Sequence, residues 1–513
     1  MAVNYINTPT RFKADRTAIV GLVLMAVVCV VVLFLVAVAN GALESYPYLY
    51  LLPWIAGLAI VLATPSVILY YRGKFTFADP IVFATWSYFF PAFVIGGIFL
   101  AGGWSQPWFL FFIQDAEYNL PLTIVLVALG FAGLVAGYYL PIGVHAGAFV
   151  AKRLPTADYQ PSAYIVPGIL LLILGIINTI LAFALGVFGF QHTDEIGMYD
   201  GIIFLTTLFW LQGSFLLWNI IFRQKNLNAV HVLMIVLLVG TAVSKSLFAG
   251  NRGSVIQIFS VIALAYILAG RRFRLKHTIV AGSVLTVLMI AGMIYGSTFR
   301  IVKGSEEQQS LDQYAENVLL TLDQVTKSDT SDLLQYGFSN LTERIDIVST
   351  LAVVVSNYEQ LAPYEEAYGI DNNIWKDSIT FYIPRVVWED KPYASDPRKY
   401  SDLYFNFGET SFAITPMGDL LRNYGIIGVP IGMLILGIIL RFIYRALVED
   451  QTPNIWRMTF YFMLLTSVSY EGFYGTIVPF FFKVGFTAAV GLVLVCFLAK
   501  AFDKRLPVAA PPI

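Results

Sequence analysis

"YIVPGILLLILGIINTILAFALGVFG" occupies residues 164–189 and contains no Asp, Glu, Lys or Arg. The hydrocarbon core of a bilayer asks for ~20 predominantly apolar residues per helix, and this run exceeds that. The rest of the chain reads the same way. Of its 513 residues, 58% are hydrophobic and 13% charged, against roughly half and a quarter in soluble domains. Further runs that meet the length test are 18–39, 50–71, 80–101, 121–143, 202–222, 229–248, 254–270, 278–297, 423–447, 456–474 and 476–499. The fold class expected is an all-α polytopic membrane protein of about 12 transmembrane helices. The last two runs are separated only by "YEGFYG" (470–475). Run 18–39 follows Arg11, Lys13 and Arg16 and ends Ala37-Val38-Ala39, like a signal-peptide cleavage site. It is longer than the ~7–15 residues of a signal core, so it reads as an uncleaved first helix. No repeat relates the two halves, so the inverted-repeat pattern of many transporters is missing.

Lys and Arg orient these helices, because cytoplasmic loops retain them. With the N-terminus inside, the inner reversals carry Arg72/Lys74, Lys152/Arg153, Arg223/Lys225, Arg271/Arg272/Arg274/Lys276, Arg441/Arg445/Arg457 and Lys500/Lys504/Arg505. The short outer loops carry Glu44, then Asp115/Glu117, then Asp194/Glu195/Asp200, and no basic residue. Both termini are therefore expected in the cytoplasm. A net charge of −1 excludes a general electrostatic attraction to nucleic acid. Cys29 and Cys496 sit in apolar runs, and the four histidines are scattered, which excludes a disulfide framework or zinc site.

The same scheme divides the chain into helices within 1–297, one large outer loop at 298–422, and the closing helices and tail at 423–513. Such a loop is far longer than ordinary connections and points to function. It holds a polar helical stretch near 305–328 and the apolar run "IDIVSTLAVVVSNY" (345–358). That run is too short to span and is expected to be re-entrant or interfacial. Just before the chain re-enters the membrane, "FYIPRVVWEDKPYASDPRKY" (381–400) concentrates charge among aromatics and prolines.

Cations on the unfavoured side call for a reason. In "SKSLFAGNRGSV" (244–255), Lys245 and Arg252 fall at the outer face. Either Lys245 snorkels and Arg252 caps a helix C-terminus, or the pair binds an anion, helped by backbone N–H groups at Gly250 and Gly253. Arg300, Lys303, Arg385, Lys391 and Arg422 collect at the same boundary. Arg385 and Lys391 either pair with Glu389 and Asp390 or grip phosphate, for which arginine is suited. Lys483, alone in the last apolar run, is expected to mark the bundle interior. Tyr382 and Trp388 suit an interface or a sugar face, and Glu409 could accept from sugar hydroxyls. A lipid-linked phosphate or pyrophosphate with a glycan answers all of these features.

"GNRGSVI" (250–256), "FYIPRVVWEDKP" (381–392) and "SFAITPMGDLLRNYGIIGVPIG" (411–432) resemble the O-antigen/oligosaccharide repeat-unit polymerases, the Wzy family. The resemblance covers the region from the seventh to the tenth span. It implies a metal-independent, cofactor-free glycosyltransferase of the GT-C type in the cytoplasmic (inner) membrane, its active site facing the periplasm or exterior. Its partners would be undecaprenyl-pyrophosphate-linked oligosaccharide, the lipid bilayer and a polysaccharide chain-length regulator, with no nucleic acid. Arg252, Arg385 and Lys391 match family motifs and would hold pyrophosphate. Topology adds Lys245, Arg300 and Arg422 to that set. A carboxylate would serve as general base. Asp419 stands in the family's acidic position, where it also suits a helix N-terminus; Glu409 and Glu471 are alternatives. Among other readings, an O-antigen ligase shares the chemistry, and the "IPR…KP" element favours the polymerase over it. A flippase would place charge near helix midplanes, where little exists here. Asp194, Glu195 and Asp200 are the acidic group available to a metal in a short loop.

Overall fold

The structure is a computed structural model. It describes residues 46–503 apart from 157, 188–198, 225, 250–251, 272–274, 305–310, 328–329, 389, 392–393, 409–410 and 450–453. The expected first span, 18–39, lies outside the described residues.

Among the described residues the chain is helical, with no strand. Helix α1 (Leu52–Tyr71) is followed by α2 (Pro80–Ala101), whose middle part, Thr85–Ile95, is a π-helix around Pro91. Then come α3 (Ala116–Tyr139), α4 (Pro141–Ala151), α5 (Ile165–Ala184), α6 (Asp200–Arg223), α7 (Ala229–Ala249), α8 (Arg252–Leu268) and α9 (Leu275–Lys303). The long loop folds into α10 (Leu311–Lys327), α11 (Thr330–Ile345), α12 (Ile347–Tyr368), α13 (Asn373–Thr380) and α14 (Pro397–Phe405). Helices α15 (Thr415–Leu447), α16 (Ile455–Thr466) and α17 (Tyr474–Phe502) close the chain. Eight helices among the described residues are long and apolar enough to cross a membrane: α1, α2, α3, α5, α6, α7, α15 and α17. The protein is an all-α polytopic membrane protein.

Small residues bring the long helices together. A Cβ on Gly137 of α3 would lie 1.9 Å from the Leu434 carbonyl oxygen of α15, and one on Gly437 would lie 2.1 Å from that of Leu134. Backbones in such contact gain dispersion that bulkier residues would prevent, the usual basis of helix packing in lipid. Gly175 of α5 meets the backbone of Trp210 on α6 in the same way.

The reversals carrying Lys and Arg are gathered at one end of the bundle. Tyr138 donates to Asp79 at 2.8 Å, and Arg441 ion-pairs with Glu449 at 2.7 Å. Arg457 donates to the carbonyls of Leu154 and Pro155, and Arg271 to those of Phe222 and Gln224. The long loop packs on the opposite end, where Thr342 donates to the Trp104 carbonyl at 2.7 Å.

Three local features depart from the hydropathy reading. The run 456–474 is not a full span: α16 has 12 residues and ends at Thr466. The chain then unwinds through 467–473, and the Glu471 carbonyl accepts from the N–H groups of Ile414 and Thr415. Irregular backbone at such depth is tolerated when it is enclosed by protein. Second, the boundary expected at 422/423 falls inside α15. Gly425 breaks that helix with φ 67° and ψ −170°, a left-handed value that glycine adopts without strain. Leu420 then packs on Gly432, though twelve residues of straight helix would separate them by about 18 Å. The segment before Gly425 is folded back along the segment after it. Third, α12 enters the core. Ile347–Val355 are all buried against α2, α3 and α15, and Asp346 caps the helix while accepting from Ser105 at 2.9 Å. Of the two expectations for this apolar run, re-entrant or interfacial, its burial in the bundle goes against the interfacial one.

Candidate functional site

Two groups of charged side chains lie side by side where α12, α13, α14, the folded-back start of α15 and the first turns of α17 converge.

The inner group centres on Arg422. Helix α12 ends at Gly369, whose φ of 68° turns the chain so that Glu365 and the start of α13 face α15. Arg422 Nε donates to Asp419 Oδ1 at 2.9 Å, and its Nη2 donates to Asn373 Oδ1 at 2.6 Å and the Ile370 carbonyl at 3.1 Å. Its Nη1 lies 3.0 Å from Glu365 Oε1 as an ion pair outside hydrogen-bonding angles. Glu365 also accepts from the Tyr404 hydroxyl of α14 at 2.9 Å. Asp419 Oδ2 accepts from Asn373 Nδ2 at 3.1 Å and from the Gly475 N–H at 3.0 Å. Burial raises the Glu365 carboxyl above the usual range, against the opposing pull of Arg422 and Tyr404. The Tyr400 hydroxyl is buried beside this group without a hydrogen-bond partner. Asp419 and the Arg422 guanidinium are fully buried, at 0% side-chain exposure.

This arrangement is a closed clasp. One guanidinium meets two carboxylates and two neutral oxygens, so its charge is more than balanced by the protein. Arg422, expected among the pyrophosphate ligands, is occupied in holding Asp419, Glu365 and Asn373. Asp419, expected as general base, has both oxygens bonded inside the protein.

The outer group is formed by the loop after α13. Phe381 and Tyr382 pack on Phe482 of α17, with ring centroids 5.4 and 6.1 Å apart. That contact brings Arg385 and Lys391 near enough for their charges to act on one another and on Lys483 of α17. Lys391 Nζ donates to the Ile383 carbonyl at 3.1 Å. Burial, then the Lys483 and Arg385 charges, lower the Lys391 ammonium below its ordinary value, while Asp377 acts the other way. Asp377 accepts a short hydrogen bond from Ser395 Oγ, which accepts from Asn373 Nδ2 at 2.9 Å. Asn373 and Ser395 therefore connect the two groups. Among the described residues, Lys391 and Lys483 lie near Asp377 with Arg385 close to both lysines, an arrangement that can hold a multiply charged anion.

Lys245 on α7 stacks its ammonium on the Trp210 ring of α6, 4.1 Å from the centroid. Arg252 opens α8 and Arg300 lies in the last turn of α9; their side chains are outside the described set. Tyr382 is 65% and Trp388 38% exposed, on the rim of the outer group. Glu471 pairs with Arg344 at 3.1 Å. Asp200 opens α6, while Glu409, Asp194 and Glu195 lie outside the described residues. Among the described residues no three acidic, histidine or cysteine side chains are grouped to hold a metal. Sequence reasoning missed Glu365, Asn373, Asp377 and Lys483 as members of this site. Lys483 alone had a signal, as a lone charge in an apolar run.

The family described as a domain of unknown function (DUF8712) matches residues 148–449, more than half of the chain, and the protein belongs to that family. The match includes the clasp and the loop cations, while Lys483 and Gly475 lie beyond it. No curated protein and no solved structure matches the chain.

Proposed function

We propose that this DUF8712 protein is a lipid-linked oligosaccharide polymerase, a GT-C-type glycosyltransferase of the cytoplasmic membrane. It joins undecaprenyl-pyrophosphate-linked repeat units into a surface polysaccharide, on the side of the membrane opposite the Lys/Arg-bearing reversals. The observation that carries the reading is the meeting of Arg385, Lys391 and Lys483 where the long loop rests on the first third of α17. A carrier lipid would bring its pyrophosphate to the outer end of the bundle while its chain stays in the bilayer. Fixed cations next to the breaking C–O bond would stabilise the charge that develops on the leaving pyrophosphate. Tyr382 and Trp388, exposed on the rim, offer apolar faces to a sugar.

The test is reconstitution. Purified protein supplied with its lipid-linked repeat unit is expected to build a ladder of chain lengths, and to do so in excess EDTA. A ladder that vanishes with chelator and returns with magnesium or manganese overturns the fixed-cation mechanism. Reporter fusions after residue 272 and near residue 370 are expected on opposite sides, the first cytoplasmic and the second exterior. An interior signal near 370 removes the site from the side where the substrate would be met.

A further inference from the structure

Glycosyl transfer to a hydroxyl also needs a proton acceptor, and the carboxylates near the cations differ sharply in availability. Asp419 is enclosed by Arg422, Asn373, Asn423 and Gly475. Glu365 is 5% exposed and held by Arg422 and Tyr404. Glu471 is paired with Arg344 across the bundle end. Asp377 is different. It lies on α13, which packs directly on the start of α17: a Cβ at Gly475 would come within 3.0 Å of Ile374 Cα. It is half-buried, and Lys391 of the loop that follows is near enough for its charge to act on it. One of its oxygens accepts from Ser395.

We propose that Asp377 is the general base of the transfer, taking the proton from the attacking hydroxyl of the acceptor sugar. The inference rests on the transferase reading. In the step, the acceptor oxygen bonds to the anomeric carbon of the donor glycan. The bond from that carbon to the pyrophosphate oxygen breaks, and its electron pair leaves with pyrophosphate, held by Arg385, Lys391 and Lys483. The hydroxyl proton passes to Asp377. Base and leaving-group cations are then contributed by adjoining elements, α13, the loop and α17, so the two halves of the reaction meet at one place.

The surroundings suit a base. Burial raises the Asp377 carboxyl above the usual range; Ser395, the Ala394 N–H and Lys391 pull it down, and Asp419 pushes it up. Lys483 also feels its charge. Ser395 has a positioning role: it fixes the carboxylate and is itself fixed by Asn373.

The reconstituted full-length protein tests this. Asp377→Asn is expected to slow chain extension by about 10²–10⁴-fold and to abolish the acidic limb of the kcat/KM profile. Undecaprenyl pyrophosphate should still bind, as tightly or more so, because a carboxylate has been removed from beside Lys391 and Lys483. Ser395→Ala removes a bond that favours the ionised carboxylate, so the acidic limb should move to higher pH with the ladder retained. Asp377→Glu keeps a base and should recover part of the lost rate. Normal extension by Asp377→Asn, or an unmoved acidic limb in Ser395→Ala, overturns the assignment while the transferase reading stands. If the wild-type protein extends no chains under any condition, the transferase reading falls and the assignment with it.

Discussion

The clasp around Arg422 and the cation group around Lys483 share neighbours but treat charge in opposite ways. In the clasp, a buried guanidinium is matched by Asp419 and Glu365 and braced by Asn373. In the outer group, Lys391 and Lys483 lie near Asp377 with Arg385 close to both lysines, and burial, then the charges of Lys483 and Arg385, lower the Lys391 ammonium. Charge matched closely within the protein ties elements together, whereas several cations near a half-buried carboxylate at an edge suit an anionic ligand. The lesson is that an arginine in a motif can belong to either kind. Its partners decide which.

Breaking the clasp should have the largest effect on folding. Arg422→Met leaves two carboxylates buried without a counter-charge, a loss on the order of 3–5 kcal/mol. Thermal unfolding in detergent should show a strongly destabilised protein, or none recoverable. A normal melting profile would mean that the clasp does not hold the loop to the bundle.

Disturbing the outer group should strike at the ligand more than at folding. Arg385→Lys keeps charge but loses the planar fork for two phosphate oxygens. Loss of one charge-assisted bond of about 1.5–3 kcal/mol corresponds to roughly 10- to 150-fold weaker binding of undecaprenyl pyrophosphate. Long glycan chains should disappear while the melting temperature holds. Equal affinity in the variant would remove Arg385 from the anion site.

The smallest contrast lies between two neighbouring tyrosines of α14. Tyr404→Phe removes the hydroxyl that donates to Glu365 and is expected to cost about 1.5–3 kcal/mol. Tyr400→Phe removes a buried hydroxyl without a partner and should be neutral or slightly stabilising. Equal losses from the two, measured by unfolding, would show that the Glu365 bond contributes nothing particular.

Sequence alone determined the membrane class and most of the spans, because a bilayer imposes a length and a polarity that can be read along one dimension. It also placed the Lys- and Arg-bearing reversals together, and it singled out Arg385, Lys391, Asp419 and Arg422, which fall in the two neighbouring charged groups. Only the tertiary structure decided what those residues do. Whether Arg422 is available depends on Glu365 and Asn373, which lie 57 and 49 positions earlier in the chain. Whether Lys391 has company depends on Lys483, 92 positions later. The folded-back start of α15 and the unwound stretch after α16 were equally hidden, since hydropathy measures how apolar a segment is and not where its backbone bonds go. Hydrogen bonds from Ile414 and Thr415 to Glu471 end the run that composition alone would continue. Charge pairing and helix breaks are properties of contacts between distant segments, and no local pattern encodes them.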